Sequence, residues 1–116
     1  MTTSETNVIE CIQEYGDGDY DKAIILVDGN RLTPERSLGV WRHSPTGFAW
    51  GYGGSGPAQL ALAILLACGV SEQDAVPVHQ DFKREFIETL PQDKGWRFEV
   101  DVPVWVGCRL AEQGLA

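Results

Sequence analysis

PAQLALAILLAC, Pro57 to Cys68, constrains this chain more than any other stretch. It holds a single polar residue, Gln59. A helix on a protein surface keeps one polar side. This segment has none, which predicts a helix buried nearly all round. Pro57 suits a first helical turn, Ser55 or Gly56 can cap it, and Gly69 ends it. Ala58, Ala61, Ala63 and Ala67 admit neighbours at close range. A helix of this kind needs cover on every side. With 116 residues there is room for one domain and one core, so the rest of the chain must supply that cover. An apolar fraction of 43% with four Trp is enough to do so.

The covering elements are predicted from periodicity. Asn7 can cap a short helix in which Val8, Ile9, Cys11, Ile12 and Tyr15 fall at helical spacing, stopped by Gly16. Ala23 to Val27 is a β-branched run followed by Asp28-Gly29-Asn30, a hairpin signal. Leu38 to Arg42 and Phe48 to Tyr52 are expected to be two more strands around the turn His43 to Gly47, completing a three-stranded meander. A helix from Pro77 to Leu90 places Val78, Phe82, Phe86 and Leu90 on its buried stripe and His79, Lys83, Arg84 and Glu88 off it. Trp96 to Val100 alternates as a fourth strand does. Asp101 caps a last helix carrying Trp105, Val106 and Leu110. The expected fold is α+β: a small antiparallel sheet packed on a buried central helix with two or three flanking helices, in one domain over residues 1–116.

Charge bounds the partners. The net charge is −8 and is unevenly spread. Met1 to Asp21 is an acidic N-terminal segment with six acids and no base, ahead of a sheet-and-helix core over residues 22–116. Phosphates need neutralising cations, so direct nucleic-acid binding and anionic membranes are disfavoured. A basic protein surface is a fitting partner. Cys11, Cys68 and Cys108 are odd in number and widely spaced, and read as buried free thiols in a reducing cytoplasm. No leader opens the chain, and Leu60 to Cys68 is too short to span a bilayer.

Gly51 to Gly56, GYGGSG, is the obvious candidate for chemistry. A P-loop needs a lysine after its last glycine, whereas Pro57 and Ala58 follow here. The nucleophile elbow G-x-S-x-G is matched at Gly53 and Ser55 and broken at Pro57. Ser55 is therefore read as a cap and not as a catalytic residue. No metal set is visible, because the two histidines lie far apart and the cysteines never pair as C-x-x-C. No cofactor is expected. A looser anion or nucleotide site remains as the alternative: Gly53, Gly54, Ser55 and Gly56 at the helix N-terminus, with Arg42 and His43 nearby. Arg36, Arg42 and His43 also form a local basic patch near the expected meander.

The segment SPTGFAWGYGGSGPAQLALAILLACG, Ser44 to Gly69, resembles a family of small bacterial and phage proteins. Their mark is a GFxWGYGGSGPAQLALAIL stretch in a domain of unknown function. The resemblance extends over roughly Lys22 to Trp96. It implies genes found on chromosomes, plasmids and phages, and no activity.

From the residues themselves, the leading expectation is a non-enzymatic interaction module. Glu10 and Glu14 would lie one helical turn apart, about 6 Å. Asp17, Asp19 and Asp21 would extend the row into a phosphate-like array offered to a basic protein. With the resemblance, the concrete form of this expectation is a phage- or plasmid-encoded inhibitor of a host defence complex, anti-CRISPR-like.

Overall fold

The computed structural model describes residues 6–13, 20–44 and 47–114. Its centre is helix α2, Ser55–Ala67, in which every residue from Gly56 to Leu66 is buried. Leu60, Leu62, Ile64, Leu65 and Leu66 are at most 1% exposed. Five such side chains contribute on the order of 10 kcal/mol of burial before conformational entropy is counted. Gly54 is the N-cap, one residue ahead of the expected caps, and Ser55 is the first helical residue. The helix ends as predicted at Gly69, with φ +88°. Gly69 N–H donates to Leu66 O and Val70 N–H to Leu65 O, the paired bonds of a Schellman motif.

An antiparallel sheet of four strands covers this core, in the order β3-β2-β1-β4. The strands are β1 Asn7–Ile12, β2 Ile24–Val27, β3 Asn30–Arg31 and β4 Trp96–Val100. The hairpin joining β2 to β3 is as expected. Asp28 and Gly29 both have positive φ, the form a two-residue turn requires. Of the predicted helix over Val8 to Tyr15, the stretch Val8 to Ile12 is instead part of β1, an interior strand, and Tyr15 lies outside the described residues. Its apolar residues fit both periods, and tertiary pairing decides between them. Ile9 and Cys11 alternate inward, opposite Val27 and Ile25 on one side and Phe98 and Trp96 on the other. Asn7 caps no helix. Its Nδ2 donates to Asp28 Oδ2 and its Oδ1 accepts from Val102 N–H, tying the start of β1 to the hairpin and to α4.

The expected meander is absent among the described residues. Leu38 to Arg42 largely belongs to helix α1, Glu35–Val40, packed on α2. Phe48 to Tyr52 is irregular, because its polar groups find partners outside any ladder. Trp50 O accepts from Tyr20 Oη, Trp50 Nε1 donates to Pro91 O, and Gly51 N–H donates to Ile87 O. Helix α3 begins at Glu72, five residues before Pro77, capped by Ser71, whose Oγ accepts from Asp74 N–H. It runs to Phe82 and continues as a π-turn over Lys83–Ile87. Asp101 caps α4, Val102–Glu112, as predicted. Phe82, Phe86, Phe98 and Trp105 join α3, α4 and β4 in one aromatic cluster, with Phe86 stacked on Phe98.

Candidate functional site

Three regions bear on function: the outer face of the sheet, the glycine turn, and a buried polar network ending at His43. The alternation that sends Ile9, Cys11, Ile25 and Val27 into the core sends Val8, Glu10, Ile12, Ile24 and Leu26 to the other face. None of these five belongs to the core or to its half-buried fringe. Ile12 is 55% exposed. Arg97 and Glu99 of β4 and Arg31 of β3 flank this apolar row through the register. Glu10 therefore does not stand on a helix one turn from Glu14. It sits in the middle of the sheet, opposite Leu26 on one side and Arg97 on the other. Glu14, Asp17 and Asp19 lie outside the described residues, as does the side chain of Asp21. They belong to the connection from β1 to β2, which leaves the sheet at the end where Ile12 pairs with Ile24.

The glycine turn is filled by the protein's own atoms. A side chain at Gly56 would meet Ala49 Cβ at 2.6 Å, and one at Gly51 would meet Leu90 O at 2.8 Å. The ring of Tyr52 lies against Gly54, and the Glu88 carboxylate lies against Gly53. An anion near Gly53 would face that carboxylate. Arg36, expected in a basic patch with Arg42 and His43, donates to Leu66 O at the other end of α2, and Arg42 is exposed. Ser55 is exposed, and among the described residues no hydrogen bond links it to either histidine.

The third region was not legible as a set. Among the described residues the buried polar ones are Ser37, Ser44, Gln59 and His79. All four lie along one hydrogen-bonded chain. Ser37 Oγ donates to Pro34 O and accepts from Gln59 Nε2. Gln59 Oε1 accepts from the backbone N–H of His43 at 2.7 Å and of Ser44 at 3.1 Å. The His43 ring then meets His79, Nε2 to Nε2, at 2.8 Å. His79 Nδ1 lies 2.6 Å from Val76 O. A carbonyl can only accept, so Nδ1 carries the proton, and the Nε2 of a neutral His79 is an acceptor. His43 Nε2 is then the donor of the pair. Trp41, 48% exposed, stacks on His43 with ring centroids 4.9 Å apart. Burial lowers the pKa of both histidines. The Lys83 ammonium lowers both further, and each ring has a neighbour that disfavours its charge. Lys83 is itself matched by Glu88 at 3.8 Å.

His79 was expected off the buried stripe of its helix, yet it is 1% exposed. Phe82 and Phe86 of the stripe face the aromatic cluster, while His79 meets His43 and Trp41 in the segment after α1. The one sequence sign of this network was Gln59, the polar residue inside an apolar helix. A buried polar group needs partners, and following them leads to His43.

The class these features define is an α+β protein with an open four-stranded antiparallel sheet around a buried helix. The chain matches a family of unknown function, DUF6166, over residues 15–107, and it belongs to that family. Neither a curated protein nor a solved structure matches it. No helix among the described residues is long and apolar enough to cross a membrane.

Proposed function

We propose that this protein is a non-enzymatic interaction module that docks on a basic protein surface through the outer face of its sheet and the acidic connection beside it. The observation that carries this reading is a juxtaposition. Ile12 and Ile24 pair at the end of the sheet from which Glu14, Asp17, Asp19 and Asp21 depart in sequence. An exposed apolar anchor with a run of acids leaving from its end is a fitting docking surface, although Arg31 and Arg97 border its other sides. The apolar side chains supply binding energy, and the acids speed encounter with a cationic partner. Glu10 adds a further carboxylate to that face. In its most concrete form the partner is a nucleic-acid-binding protein of host defence, blocked by a phage- or plasmid-borne chain. That form rests on the acidic segment and on the family resemblance.

The test is affinity capture from cells expressing the tagged chain, with quantification of the captured proteins. The comparison is a variant with Glu10→Gln, Glu14→Gln, Asp17→Asn, Asp19→Asn and Asp21→Asn. A basic protein held by the wild type, lost from the variant and released by added salt supports the proposal. Capture that the variant retains in full, or that is indifferent to salt, refutes it.

A further inference from the structure

His43 and His79 are the two histidines of the chain, 36 positions apart in sequence, and the fold brings their Nε2 atoms to 2.8 Å. Two features make this more than a convenient hydrogen bond. The Val76 carbonyl holds the His79 proton on Nδ1, so the Nε2 lone pair points at His43. A ring N–H donated to a backbone carbonyl is also the usual support behind a metal-binding histidine. The segment presenting His43 is clamped by Gln59, a side chain with no exposure that holds two successive backbone N–H groups.

We propose that His43 and His79 form a two-imidazole site for a late first-row divalent cation such as Zn2+, ligated through both Nε2 atoms. On binding, His43 moves its proton from Nε2 to Nδ1, with no net proton release from a neutral pair. Zinc–nitrogen bonds of about 2.0–2.1 Å at a tetrahedral angle set two ligands about 3.3 Å apart. The rings must therefore part by about half an ångström, and His43, the half-buried member on a loop, is the one that can move. Among the described residues no third His, Cys, Asp or Glu completes a metal-holding group. Two positions are left to water, one more than in an open site with three protein ligands, so there is room for an outside ligand. Imidazole nitrogen favours Zn2+, Ni2+ and Cu2+ over Mg2+ or Ca2+. The like charge of Lys83 opposes any cation, and Glu88 at 3.8 Å from it offsets part of that.

Zn2+ alone is titrated by calorimetry at neutral pH into the full chain, with Cys108→Ser to remove the exposed thiol and without a histidine tag. The expected result is one Zn2+ per chain, weakened about tenfold or more by His43→Asn and tightened by Lys83→Met. Circular dichroism checks that His43→Asn, altered at a half-exposed loop position, remains folded. As a second readout, Cu2+ should quench the part of the fluorescence that Trp41→Phe removes, because Trp41 stacks on His43. Failure of the wild type to take up Zn2+ overturns the proposal. So does binding that both His43→Asn and His79→Gln leave unchanged.

Discussion

Gln59→Leu removes the centre of the buried network and keeps the size of the side chain. The amide makes three hydrogen bonds, at 2.7, 2.8 and 3.1 Å. Without it the N–H groups of His43 and Ser44 lose their acceptor, while Ser37 Oγ keeps its bond to Pro34 O. His43 is half-buried and can rehydrate, whereas Ser44 is buried and cannot. One to two stranded groups at about 1–3 kcal/mol each, less a gain for an apolar side chain in an apolar helix, leave a net loss of about 2–3 kcal/mol. For a chain of this length that is a fall of about 10 °C in Tm. Urea and thermal melts followed by circular dichroism measure the global effect. Hydrogen exchange supplies the local one: the amides of His43 and Ser44 should lose protection while those in the middle of α2 keep theirs. A loss below about 0.5 kcal/mol, or unchanged protection at those two amides, would refute the role given to Gln59.

Protonation should undo the histidine pair. Both rings have folded pKa values below the ordinary value near 6.5, so the unfolded chain binds protons first as pH falls. Their contribution is complete above about pH 6.5 and is lost as pH drops through the lowered values. Tm should therefore fall more steeply on acidification for the wild type than for His79→Gln, and parallel curves would sink this assignment. Gly107 stands inside α4 with open space where a side chain would go, so Gly107→Ala should stabilise by about 0.5–1 kcal/mol in a urea melt. Gly51→Ala should do the opposite by more than about 1 kcal/mol, because φ is +85° and a backbone carbonyl blocks the position. Cys108, expected to be buried, is instead exposed on α4 and should be alkylated well before Cys11 and Cys68. Burial pushes those two thiols up to about 11 and 12, and mass mapping of the modified peptides decides.

The parts of this fold that were legible in the sequence share a property: their signals are local and redundant. The α2 run, its Gly69 stop, the Asp28-Gly29 turn and the Asp101 cap each state their own conformation. The misread parts depend on partners distant in the chain. Val8 to Ile12 fits a helix until Ile25, Val27, Trp96 and Phe98 are placed beside it. Leu38 to Arg42 looks extended until Ser37 is needed under Gln59, which favours a helical turn there. Phe48 to Tyr52 has a strand's composition, yet Tyr20, Ile87 and Pro91 take its polar groups. The glycine turn was legible as a tight junction. What crowds it, Tyr52, Glu88, Ala49 and Leu90, was not.

The structure separates two features that composition blends. The acidic bias of the N-terminal segment leads to one end of the sheet, where Ile12 and Ile24 meet. The buried polar residues of the described chain converge elsewhere, on a histidine pair beside the exposed ring of Trp41. Neither feature needs the other. Removing the five acids leaves His43 and His79 in place, and His43→Asn leaves the sheet face intact. A partner lost only from the acid variant, together with Zn2+ uptake lost only from His43→Asn, is the outcome expected of two separate sites. If His43→Asn also abolished capture of the partner, the metal site would instead be part of the docking surface. The charge of the N-terminal segment would then be steering toward a contact made at Trp41.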